Sequence, residues 1–144
     1  MSTPSALARP SGVPLTHRLA ARAVLPAARL LSRLPPQRIR SALTLVRRGA
    51  AAATPQQAQA ARDAMCAVSL LCAGPQGCLP RSLGTVLLCR LWGVWPTWCT
   101  GVRVVPPFAA HAWVEVDGGP VGEGVPDDYF TRLLVVAPAR RDAP

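Results

Sequence analysis

The stretch Cys-Leu-Pro-Arg-Ser-Leu at residues 78–83 and the stretch Ala-His-Ala-Trp-Val-Glu-Val-Asp-Gly at residues 110–118 decide how this sequence folds. A glycine directly before Cys78 and a proline two residues after it indicate a helix start, and the alternation that follows His111 predicts a strand. A helix N-terminus favours thiolate, and a nearby imidazole can accept the thiol proton. The pairing predicts a cysteine hydrolase or acyltransferase with Cys78 as nucleophile and His111 as base.

The composition limits the fold and the partners. The chain has 144 residues, 50% of them apolar, which is enough for one hydrophobic core and short for two independent domains. Its net charge of +9 rests on 16 basic residues, all of them arginine. These arginines are not interleaved with aromatic side chains, so we expect no nucleic-acid binding. An acidic peptide or an anionic membrane surface fits the charge better.

The cysteines and histidines give no sign of a metal site. The 5 cysteines and 2 histidines lack the short paired spacings of metal ligands, so we expect no metal and no cofactor. No secretory signal is recognisable, and the uncharged run 64–80 is short and broken by glycine and proline, which predicts no membrane span. We expect a cytoplasmic protein with free thiols.

The N-terminal third has its own character. Residues up to about 15 are rich in Ser, Pro and Ala and predict a loose tail. Residues 16–34 and 37–48 predict two amphipathic, cationic helices, which could cover the core, lie on a membrane surface or bind a partner. We therefore divide the chain into an extension, residues 1–50, and a catalytic domain, residues 51–144.

Helices precede strands in the catalytic domain. Thr54-Pro55-Gln56-Gln57 has the form of a capping box and predicts a helix to Leu71 or Cys72, followed by the helix from Cys78 to Leu91. Strands are predicted at 98–105, 111–117, 121–125 and 130–136. This order predicts an α+β fold in which the helix that carries Cys78 packs on a small antiparallel sheet.

A histidine base needs an acidic group that holds its ring. An odd number of loop residues after strand 111–117 would bring Glu123 to the face of His111, whereas a two-residue loop would put it on the opposite face. Glu115 shares that face but lies two residues along the same strand, so we expect it to serve structure or substrate. Glu123 is our first choice, and Asp127 is second.

At these residues the chain resembles the transglutaminase-like leader peptidases of lasso-peptide biosynthesis. The likeness rests on residues 78–83 and 108–118 and covers about residues 50–130. It implies a transglutaminase-like (papain-like) core and a cysteine peptidase that removes the leader from a ribosomally made precursor. It also implies that Cys78 is the nucleophile, His111 the general base and acid, and Glu123 the third residue, where many members carry aspartate.

The resemblance also implies partners. A separate macrocyclase would close the ring of the freed core peptide, and a small winged-helix-like protein would recognise the leader. The extension resembles the short helical N-terminal part of the stand-alone members. Two alternatives stay open at this point: acyl transfer to an amine by the same three residues, and an inactive domain that serves as a scaffold in the biosynthetic complex.

Overall fold

A computed structural model describes residue 10 and residues 12–139. It confirms an α+β fold in which the helices come first and a small antiparallel sheet follows. The helices are α1 (Leu15–Leu31), α2 (Pro36–Val46), α3 (Pro55–Val68), α4 (Leu70–Ala73) and α5 (Cys78–Leu91). The strands are β1 (Ala51–Ala52), β2 (Val94–Trp95), β3 (Thr97–Arg103), β4 (Ala110–Val116), β5 (Gly119–Pro120) and β6 (Phe130–Val136).

The main sheet has four strands in the order β5-β4-β3-β6, and every neighbouring pair is antiparallel. The short strands β1 and β2 form a separate parallel pair, in which Ala51 lies opposite Val94. Sequence patterns had not predicted this pair, because two residues are too few to show any periodicity. It ties the segment between α2 and α3 to the segment between α5 and the sheet.

Helix α5 is the centre of the molecule. Almost every residue from Pro80 to Cys89 is buried, including the polar side chains of Ser82 and Thr85. The sequence predicts one apolar stripe along this helix, but the observed helix is covered on most sides, and only its end, Leu91, is 61% exposed. Gly84 allows this, because a Cβ at that position would collide with the side chain of Met65 in α3.

The two N-terminal helices belong to the same core as the rest of the chain. Ile39 and Leu43 of α2 pack in one apolar cluster with Leu83 of α5 and with Trp95 and Trp98 of the strands. α1 contributes buried Ala21 and Val24 to a second cluster with α3 and α5. The inner faces of these helices therefore cover the core, which is one of the three roles considered for them.

The helix predicted from Thr54 starts where expected and ends early. The capping box is present: Thr54 Oγ1 accepts from the Gln57 amide at 3.2 Å, and Gln57 Oε1 accepts from the Thr54 amide at 2.9 Å. The predicted end at Leu71 or Cys72 was wrong, because Ser69 adopts an extended backbone after Val68. Ser69 instead begins α4, where its Oγ accepts from the Cys72 amide at 3.2 Å.

The predicted strand at 121–125 was also wrong. The returning strand β5 comprises only Gly119 and Pro120, and Gly122 and Gly124 then take φ values of 71° and 65°, which are incompatible with a strand. The predicted tail up to residue 15 lies largely outside the described residues. Among residues 12–139, no helix combines the length and the apolar character that crossing a membrane requires.

Candidate active site

Cys78 is the first residue of α5, with Gly77 as the N-cap, and its side chain is half-buried. The amides of a first helical turn have no acceptor within the helix and carry partial positive charge, which favours a thiolate or an oxyanion beside them. Gly77 has an ordinary φ of −93°, so the need for glycine there is spatial. A Cβ on Gly77 would collide with the carbonyl oxygen of Leu71.

His111 lies near the start of β4, against the end of α5 that carries the thiol. Its imidazole and the Cys78 side chain line the same cleft, and both His111 and the backbone amide of Ala112 lie near enough to the sulfur to lower the pKa of the thiol. The Nε2 atom of His111 is 3.1 Å from Oε2 of Glu123. Because Nε2 faces the carboxylate, Nδ1 is the ring nitrogen left to exchange a proton with the thiol.

Glu123 contacts His111 although the hairpin turn has two residues and not the odd number considered above. Val116 pairs with Gly119, so the turn consists of two residues, Asp117 and Gly118. A regular strand with this register would turn Glu123 to the opposite face. The chain instead leaves the sheet after residue 120, and the positive φ of Gly122 folds the loop back so that the carboxylate meets the imidazole.

The surroundings of Cys78 favour its thiolate form. Burial acts to raise the pKa of the thiol, but the His111 hydrogen bond, the Ala112 amide, the His111 charge and the Arg81 charge together lower it below its ordinary value. The other four cysteines differ: burial raises the pKa of Cys66 and Cys72, and raises that of Cys89 and Cys99 to about 12. Cys78 is thus the activated thiol among the five.

The imidazole is held in its protonated form. Burial acts to lower the pKa of His111, but the hydrogen bonds and charges of Cys78 and Glu123 outweigh burial and raise it to about 9. Burial likewise acts to raise the pKa of Glu123, whereas His111, Arg62 and Arg81 lower it. All three shifts favour the charged forms, a thiolate, an imidazolium and a carboxylate, which is the charge pattern of an activated cysteine nucleophile.

Aromatic packing holds the His111 ring. The ring stacks on Phe130 of β6 with centroids 4.7 Å apart, and Phe130 stacks in turn on Trp113 at 4.6 Å. Trp113 Nε1 donates to Glu115 Oε1 at 2.8 Å, and Arg132 Nε donates to the same oxygen at 2.9 Å. Glu115 therefore supports this aromatic layer and does not contact His111, in keeping with the structural role considered for it.

Asp127, the second choice for the acidic residue, lies elsewhere. It is exposed, and its carboxylate lies beside Gly119 in the hairpin. Three side chains near the site had not been singled out as functional: Arg62, Arg81 and Phe130. Arg81 lies inside the stretch 78–83, and Phe130 begins a predicted strand. Arg62 lies on a helix remote in sequence, and nothing in its local pattern distinguishes it from a surface arginine.

An apolar cleft of about 640 Å³ opens beside the thiol and the imidazole. Its lining comes from the α1–α2 connection and α2, from the start of α5, and from β3, β4 and β6. His111 is the one histidine that lines this cleft, and no arginine, aspartate or glutamate lines it. The lining residues are Leu34, Pro36, Gln37, Ile39, Cys78, Leu79, Trp98, Thr100, Gly101, Val102, Ala110, His111, Ala112, Leu133 and Leu134. Within the described part of the chain, no group of three or more His, Cys, Asp or Glu side chains could hold a metal ion.

In this chain a cysteine at a helix start lies beside a histidine of a strand, and the helix packs against an antiparallel sheet. We compared the chain with known families. The family model of the transglutaminase-like superfamily matches residues 21–135. The chain belongs to this superfamily. The match confirms the transglutaminase-like fold and supports a cysteine-peptidase-like or acyltransferase-like enzyme. It starts within α1, so the superfamily region includes most of the two N-terminal helices. No curated protein and no solved structure matches the chain.

Proposed function

We propose that this transglutaminase-like protein is a cysteine peptidase that removes the leader from a ribosomally synthesised lasso-peptide precursor before macrocyclisation. The proposal rests on the group of Cys78, His111 and Glu123, in which the thiol and the imidazole line an apolar cleft and the carboxylate holds the imidazole. The stretches at 78–83 and 108–118, which resemble the lasso leader peptidases, supply its two central members. The superfamily match supports the class of reaction, whereas the identity of the precursor is part of the proposal.

The reaction follows from the charges of the site. The Cys78 thiolate attacks the scissile carbonyl carbon, and the amides at the start of α5 stabilise the oxyanion. The His111 imidazolium then donates its proton to the departing nitrogen, which becomes the free amine of the core peptide, and the leader is left as a thioester on Cys78. Water, deprotonated by the now neutral His111, hydrolyses the thioester and releases the leader with a free carboxyl group.

The cleft defines the kind of substrate. A lining composed almost entirely of apolar groups favours uncharged side chains next to the scissile bond, because a charged group would lose its hydration there without a partner. The cleft lies between the strand β6 and the α1–α2 connection, where we expect a segment of peptide to bind. The thiol reaction thus acts on a peptide whose residues beside the cleavage point are apolar or small and neutral.

A cleft of this size holds only a few residues, so a long leader needs a second binding site. We propose that a separate leader-recognition protein supplies it and raises the local concentration of precursor, with the macrocyclase acting on the product. The outer faces of α1 and α2 are the proposed docking surface, because they expose leucines among arginines: Leu19, Leu30 and Leu45 are 55%, 66% and 57% exposed. A peripheral membrane contact through this surface is the competing outcome.

Docking is tested on the intact chain, because Ile39 and Leu43 of α2 are core residues and removing the helix would unfold the protein. The variant Leu19→Ser, Leu30→Ser, Leu45→Ser keeps the core and removes the exposed apolar groups. We expect it to lose stimulation by the leader-recognition protein while its basal cleavage is unchanged. Unchanged stimulation contradicts the docking surface, and lost binding to anionic vesicles with retained stimulation assigns the surface to a membrane.

Synthetic precursor and purified protein test the activity itself. Leader peptidase activity yields two products, a leader with a free carboxyl group and a core with a free amine, and both are absent with Cys78→Ala. Acyl transfer, which the superfamily match also supports, would instead yield the leader joined to an added amine, with a different mass. If the precursor stays intact and Cys78 does not react with a thiol reagent, the peptidase proposal is wrong and the result supports an inactive scaffold domain.

A further inference from the structure

A buried cation faces the far side of the Glu123 carboxylate. Arg62 of α3 is 9% exposed, and its Nη2 lies 4.0 Å from Oε1 of Glu123, while Oε2 of the same carboxylate faces His111. Among the described residues, Glu123 is the one carboxylate paired with Arg62. A buried charge is retained where it meets an opposite one, which makes the pair the evident reason for burying Arg62 here.

We propose that Arg62 is a positioning residue, which holds the Glu123 loop and carboxylate so that Oε2 points at the His111 ring. For its turnover readout this inference rests on the proposed function, since it assigns a role within that same site. Nothing in the transglutaminase-like match or in the sequence motifs names this residue.

The backbone of the loop is shaped to the Arg62 side chain. A Cβ on Gly122, the residue before Glu123, would lie 2.8 Å from both Cδ and Nε of Arg62. Gly122 also has a φ of 71°, a conformation that side chains disfavour. The stem of Arg62 therefore packs directly on the backbone at the point where the loop turns back, and its guanidinium meets the carboxylate one residue later. One side chain thus fixes both the path of the loop and the direction of the acid.

The charges around the site separate Arg62 from the second buried arginine. Glu123 is faced by His111 of β4, Arg62 of α3 and Arg81 of α5, and His111 is faced by Cys78 and Glu123. Arg81 bears on both the thiol and Glu123, and its Nη1 donates to the Cys72 carbonyl at 2.7 Å. Arg62 lies beside Glu123 and is not among the groups that most strongly lower the pKa of Cys78. We therefore expect Arg62 to act on the thiol through Glu123.

The test compares Arg62→Gln, Glu123→Gln and the double variant by the pH dependence of Cys78 alkylation with iodoacetamide, located by peptide mass spectrometry. This readout needs no peptide substrate. A displaced carboxylate supports the imidazolium less, so we expect the onset of Cys78 alkylation in Arg62→Gln to move up by about one pH unit. The double variant should match Glu123→Gln alone, because a residue that acts through another adds nothing once that other is lost. With precursor, Arg62→Gln should lower kcat by up to about 100-fold and leave KM nearly unchanged.

Controls separate positioning from a general loss of structure. Arg90→Gln, which removes an arginine that bonds to the Val46 and Arg48 carbonyls far from the thiol, should keep the wild-type alkylation profile. Arg62→Lys keeps the buried cation, so its alkylation profile should lie between those of wild type and Arg62→Gln. If Arg62→Gln does not fold, Arg62→Lys is used for the test in its place. A wild-type profile in both Arg62 variants, or a shift that adds to that of Glu123→Gln, overturns the inference. Failure to cleave the precursor with the predicted alkylation shifts intact refutes the proposed function alone.

Discussion

Replacing Glu123 with glutamine keeps the shape of the side chain and removes the negative charge that faces His111. The surroundings raise the pKa of His111 from 6.5 to about 9, which corresponds to about 3 kcal/mol in favour of the imidazolium. Cys78 and Glu123 share this effect. If Glu123 supplies half of it, its loss costs about 1.5 kcal/mol, or about tenfold in the population of the ion pair. The two side chains are only 20% and 12% exposed, so water screens this contact little.

The assay is kcat and KM for precursor cleavage from neutral to alkaline pH. Wild-type activity should fall as the pH rises through about 9, because the imidazolium that protonates the leaving amine is lost there. In Glu123→Gln we expect kcat at least about tenfold lower and the alkaline limb moved toward neutral pH, with KM nearly unchanged. Glu123→Asp, which keeps the charge, should be milder, and exposed Asp127→Asn should match wild type. An unchanged alkaline limb in Glu123→Gln would refute the assignment.

Three further substitutions test the frame of the site. Thr54→Ala removes the capping box with Gln57 and should cost about 1 kcal/mol in the free energy of unfolding, measured with urea. Arg132→Gln leaves the buried Glu115 carboxylate without its ion pair and should cost about 2 kcal/mol in the free energy of unfolding, a figure discounted because Arg132 is 40% exposed. Leu133→Arg puts a charge on the rim of the cleft and should raise KM by about tenfold while the alkylation rate of Cys78 stays unchanged.

Local signals predicted the elements that carry the chemistry. α5 begins at Cys78 and ends at Leu91 as predicted, because Pro80 suits a first turn and the apolar spacing continues to a glycine after Trp92. β4 and β6 were also predicted closely, since alternation and the adjacent turn residues mark their ends. The bounds of the helix and of these strands depend on residues that are adjacent in the sequence, so the sequence alone predicts them.

The remaining features depend on contacts between distant segments. The preference for Glu123 assumed an odd hairpin loop, and the carboxylate meets His111 by a different route, a two-residue turn followed by a glycine-rich bend. The role of α2 as a wall of the cleft follows from where Ile39 packs, which its own periodicity does not reveal. Arg62 meets Glu123 through the packing of α3 on α5, which Gly84 keeps close, and through the bend of the loop at Gly122. Such pairings are set by tertiary packing and leave no local pattern.

A covalent intermediate on Cys78 would show directly that this thiol cleaves the precursor. Wild-type protein is mixed with synthetic precursor, quenched in acid at early times, digested and analysed by mass spectrometry, with Cys78→Ser as the matched control. We expect a thioester between the leader carboxyl group and the Cys78 peptide, followed by free leader and a core peptide with a free amine, and none of these with Cys78→Ser. Cleavage that persists in Cys78→Ser, or an adduct on Cys66, Cys72, Cys89 or Cys99 in place of Cys78, would contradict it.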